Sequence, residues 1–134
     1  MAKIEEIEGI GPAYAEKLAA AGIGTVEALL EQGATAAGRK AIGESTGIGV
    51  VLLLRWVNHA DLYRISGIGK QYAELLEAAG VDTVPELAQR NGANLHEKLA
   101  AVQEEKKLTG RVPAFSQVED WIQQAKNLPR VVTH

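Results

Sequence analysis

Residues 8–26 read EGIGPAYAEKLAAAGIGTV and residues 66–84 read SGIGKQYAELLEAAGVDTV, so one unit recurs 58 positions further along the chain. Aligning residues 7–34 on 65–92 leaves fourteen of 28 positions identical, which marks an internal duplication rather than a chance likeness. A chain written this way is expected to fold as two similar halves, each giving the other a surface to pack on.

The punctuation of the repeat is helical. Pro12 follows Gly11 where a first helical residue loses nothing by lacking an amide hydrogen. Tyr14, Leu18 and Ala21 share one helical face, as do Tyr72, Leu76 and Ala79. Gly22 and Gly80 stand where a left-handed helix stop is needed. Thr25 and Thr83 then cap the next helix, and Thr83 to Glu86 reads as a capping box with proline in its first turn. Thr35 to Glu44 predicts a short helix interrupted by Gly38, while Asn94 to Glu97 opens a longer one ending near Lys107. Gly47-Ile-Gly49 leads into VVLLLRWVNHADL, and Ser116 to Glu119, another capping box, leads into EDWIQQAKNL. Trp56 and Trp121 fall at matching places in these closing helices. No useful window alternates apolar and polar residues as a strand does. The expected fold is all-α: about eight short helices in two pseudo-symmetric halves, residues 1–63 and 64–134, joined as one compact unit.

A helix, a Gly-hydrophobic-Gly turn and a second helix resemble the helix-hairpin-helix motif. IEGIGPAYAEKLAAAGI and ISGIGKQYAELLEAAGV resemble it strongly, TGIGVVLLLRWV more loosely. The whole chain also resembles the uncharacterised DUF4332 family, on the phrases GIGKQYAELLEAAGVDTVPELA and EEKKLTGRVPAFSQVEDWIQQAK, over residues 4–128. The resemblance implies a duplicated helix-hairpin-helix architecture and carries no activity with it.

In DNA-binding hairpins of this kind the glycines let backbone amides reach a phosphate at a helix N-terminus, and a nearby Lys or Arg completes the contact. Turn carbonyls of the Gly-Ile-Gly type also offer a place for a monovalent cation; no other cofactor is expected. Gly9-Ile-Gly11 is poorly suited, because Pro12 removes a donor and Glu5, Glu6 and Glu8 repel anions. Gly67, Gly69 and Lys70 are better suited, with Arg64 close by in sequence. The most basic stretch is Lys106, Lys107 and Arg111, around Thr109-Gly110. These six, Gly67, Gly69, Lys70, Lys106, Lys107 and Arg111, are the candidate phosphate contacts. Against them stands the charge: 14 Lys and Arg face 17 Asp and Glu, a net of −3. Nucleic-acid binders draw most of their affinity from a basic surplus. Bland readings compete at each site. Glycine turns usually only close hairpins, and basic clusters such as Lys106-Lys107 beside Glu104-Glu105 are more often solvated charge pairs than binding sites.

The run Val50 to Leu54 is too apolar for an ordinary surface helix, and far short of the roughly 20 residues a membrane span needs. Such a run either glues the two halves or forms part of an assembly surface, so Leu52, Leu53 and Leu54 are candidate partner residues. Trp56 and Trp121 are expected to pack the closing helices against their halves, and join the candidate partner surface if exposed. A protein partner, or a second copy, is the expected ligand. Catalysis is not expected: His59 and Asp61 are two apart on a helix, His96-Glu97 has no second histidine at i+4, and His134 is the last residue. There is no cysteine for disulfides or thiolate metal sites, and MAKIEEIEG lacks the apolar core of a signal peptide. A cytoplasmic, non-membrane binding module is the resulting expectation.

Overall fold

The computed structural model describes residues 2–108 and 111–134. Among these the fold is all-helical, as expected, with eight α-helices and no strand. A 3₁₀ turn over Ile4–Glu6 precedes α1 (Pro12–Ala20), α2 (Val26–Gln32), α3 (Ala36–Thr46) and α4 (Val50–Leu62); α5 (Lys70–Ala78), α6 (Val84–Ala88), α7 (Gly92–Lys106) and α8 (Phe115–Lys126) follow. No helix of the described residues is long and apolar enough to cross a membrane.

The chain divides into two compact units, Met1–Asp61 with Val131–His134, and Leu62–Arg130. The first unit is closed by helices α1 to α4. Its floor is Ile4, Ile7, Ile10, Leu18, Ile23, Val26 and Leu29, all buried. In the second unit the positions 58 residues later, Leu62, Ile65, Ile68, Leu76, Val81, Val84 and Leu87, are buried likewise. The repeat is therefore a repeat of core positions, which is why its apolar residues are its best kept letters. Burying a side chain of this size is worth about 1.5–3 kcal/mol, so each row is a main source of its unit's stability.

Some helix starts differ from the sequence expectation. Thr25 caps α2 by accepting from the Ala28 amide at 3.1 Å, but Thr83 makes no such bond at α6. Helix α7 starts earlier than Asn94, because Asn91 is its cap and accepts from the Asn94 amide at 3.1 Å. The Ser116 box does not form: α8 starts at Phe115 behind Ala114, leaving Ser116 inside the first turn. Glu119 lies instead against Gly92, at the electropositive first turn of α7. Gly38 does not interrupt α3. It lies in the first turn, where the helix passes so close to the Gln32 carbonyl that no side chain fits.

Candidate interaction surface

The closing helices α4 and α8 provide an internal comparison. Shifted by 65 positions, Leu53 falls on Val118, Trp56 on Trp121, Val57 on Ile122 and Ala60 on Ala125, and all eight are buried. The outer positions also agree in exposure. Val50 and Phe115 are exposed, Val51 and Ser116 are exposed, and the pairs Leu52/Gln117 and Leu54/Glu119 are half-buried. What differs is chemistry. Where α8 carries Ser116, Gln117 and Glu119, α4 carries Val51, Leu52 and Leu54.

A closing helix can thus be built with polar residues at those three places, and exposed Val51 is the clearest departure from that pattern. Val51 is 82% exposed and Val50 50%. With Phe115 at 46% they are the exposed large hydrophobic residues of the described chain. Val50, Val51 and Leu54 line a groove of about 500 Å³ with Ala36, Arg39 and Lys40 of α3.

Arg39 lines that groove while its charge is committed elsewhere. It is only 5% exposed, and its guanidinium donates to the carbonyls of Gly33 at 2.8 Å, Ala34 at 3.1 Å and Thr133 at 2.7 Å. Burial lowers its pKa from the usual value, yet a guanidinium stays charged in any ordinary protein setting. The Thr133 amide donates back to the Ala34 carbonyl at 2.8 Å, and Val132 is buried. Arg39 thus ties residues 131–134 onto the first unit beside the groove. Sequence reading missed it; the available signal was an arginine three positions before Ile42, on the inward face of an alanine- and glycine-rich helix.

The expected partner surface needs correcting. Leu53 is 0% exposed and leaves the surface, while Trp56 and Trp121, at 0% and 1%, take the packing role in the interior and not that of partner anchors. Trp56 and Trp121 are held there by Tyr14 and Tyr72, at ring-centroid distances of 5.1 and 5.2 Å. Leu52 and Leu54 remain half-buried, and the exposed apolar surface moves to Val50 and Val51.

The expected phosphate contacts fall into two groups at unlike helix ends. Gly67, Gly69 and Lys70 are exposed at the amide end of α5, where Gly69 is the cap and has open space in front of it. The neighbouring Ser66 is gripped by α8. Its amide donates to Gln124 Oε1 at 2.9 Å, and its carbonyl accepts from Gln124 Nε2 at 3.3 Å. The same Nε2 donates to Asp120 at 2.9 Å, so a carboxylate stands one side chain away from the turn. Lys106 and Lys107 lie at the carbonyl end of α7, where cations offset the helix dipole. Arg111 is exposed; Thr109 and Gly110, on which the fourth turn was placed, lie outside the described residues.

Among the described residues no group of three or more His, Asp or Glu is arranged to hold a metal ion. His59 and Asp61 of α4 are both fully buried. No curated protein and no solved structure matches the chain. A family pattern described as a domain of unknown function, DUF4332, matches residues 8–128, and the chain belongs to that family.

Proposed function

We propose that the protein is a non-catalytic binding module, built from tandem helix-hairpin-helix units, that recognises a protein partner through the α3–α4 face. The observation that supports this most is the apolar outer face of α4, with Val51 82% exposed at a position where α8 carries serine. Leaving such a surface in water is unfavourable, and contiguous exposed apolar patches mark interaction sites. Val51→Asp tests the reading. The variant keeps the thermal stability of the parent and loses partner capture or self-association. Retention of all association would overturn it.

A second reading is sequence-nonspecific nucleic-acid binding through the α5 turn, favoured by open space before Gly69 and by exposed Lys70. Low salt strengthens even weak phosphate contacts, so duplex and single-stranded DNA titrated at low ionic strength decide the matter. Binding that disappears in a Lys70→Glu variant would replace the first reading; no binding removes the second.

A further inference from the structure

The outer faces of α4 and α8 occupy the same register in their units but carry opposite charge. On the first unit, Val50, Val51 and Leu54 are accompanied by Lys40 and Arg55, both exposed. On the second, exposed Phe115 is followed by exposed Asp120 at the register position of Arg55, while half-buried Glu119, at that of Leu54, is turned to Gly92 of its own unit. The neighbouring helix α7 adds Glu97 and Lys98, which offset each other.

Phe115 is the single phenylalanine of the chain, and at 46% exposure its ring rests edge-on against His96, with centroids 5.9 Å apart. A half-exposed aromatic on a helix that also exposes an acidic side chain has the form of an interface anchor. An apolar groove lined by Lys40, with Arg55 exposed one helical turn after Val51, has the form of its receptor.

We propose that the groove of one copy receives Phe115 of a second copy, head to tail, with Lys40 and Arg55 facing Asp120. The inference rests on the reading of the α3–α4 face as a protein interface and names its occupant. Charge decides the arrangement. A symmetric contact would set Lys40 and Arg55 against their own images, or Asp120 against its own, and like charges across an interface are repelled. Joining unlike faces avoids this and leaves one groove and one Phe115 open at the ends, so the contact propagates into a chain of copies or closes into a ring.

Sedimentation velocity of the full chain, from micromolar to millimolar concentration, tests the proposal. The parent is expected to grow in mass with concentration. Val51→Asp and Phe115→Ser are each expected to stay monomeric, with folding checked by thermal melts because both positions are exposed. Mixed in equal amounts, the two variants are expected to give a dimer and nothing larger, since the mixture contains one working groove and one working anchor. A parent that is monomeric at every concentration overturns the head-to-tail contact. Association abolished by Val51→Asp but untouched by Phe115→Ser also overturns it, while leaving the groove as an interface for another occupant. Association indifferent to both variants overturns the anchor and the interface together.

Discussion

The indole nitrogen of Trp56 lies 3.2 Å from where a side chain on Gly9 would begin. In the second unit Trp121 stands 3.1 Å from the same point on Gly67. Both glycines hold positive φ, +95° and +96°, a conformation that other L residues rarely adopt. The buried Trp56 N–H makes no hydrogen bond among the described residues, so this contact is one of close packing. The first glycine of each turn is therefore set by its positive φ together with the tryptophan that closes its unit.

Gly9→Ala and Gly67→Ala should each destabilise the fold, by backbone strain of about 1–3 kcal/mol with crowding against the indole in addition. Gly11→Ala and Gly69→Ala should cost little by comparison, because nothing stands within 4 Å of an added methyl at either. Urea denaturation of the four variants measures the contrast. Equal losses at all four would remove the proposed role of the tryptophans.

Gly38→Ala drives a methyl group into the backbone carbonyl of Gln32, which cannot rotate away as a side chain can. A loss of about 1–3 kcal/mol is expected, the usual range for overpacking. Gly92→Ala also meets a neighbour, the Glu119 carboxylate, but that group ends a flexible side chain and can move. Chemical denaturation should rank Gly38→Ala well above Gly92→Ala.

Arg39→Met keeps much of the apolar stem and removes three hydrogen bonds to carbonyls. Hydrogen bonds from a charged group are worth about 1.5–3 kcal/mol each when a partner is lost, though the effects are not additive. The expected result is destabilisation together with faster hydrogen exchange at the Thr133 amide, which bonds to Ala34. Unchanged exchange at Thr133 would show that Arg39 does not hold residues 131–134.

Gln124→Leu preserves bulk on α8 and removes both bonds to the Ser66 backbone. Exchange at the Ser66 amide should accelerate, with a stability loss of about 1 kcal/mol per bond. Gln124→Glu should retain the bond from the Ser66 amide, lose the one to its carbonyl and add charge repulsion from Asp120. Its destabilisation should therefore lessen at low pH, where the added carboxylate is protonated and neutral. A pH-independent loss would contradict the close approach of Asp120.

The sequence by itself determined the helical class and the rows of core residues. A periodic apolar face and a glycine at a helix end have local causes, and local causes are written locally. It also placed Trp56 and Trp121 at equivalent points, since a residue that fills a core must recur where the core recurs. Tertiary structure decided the rest. Whether Val51 or Trp56 faces water depends on which side of α4 meets its neighbours, and an apolar run on all sides does not encode that. Arg39 became a clamp only when folding brought Thr133, 94 positions away, to its guanidinium. The helix starts moved for the same reason. Ser116 and Glu119 satisfy the spacing of a capping box, but packing of α8 on α7 placed Glu119 at Gly92 instead, and an exposed phenylalanine took the first turn.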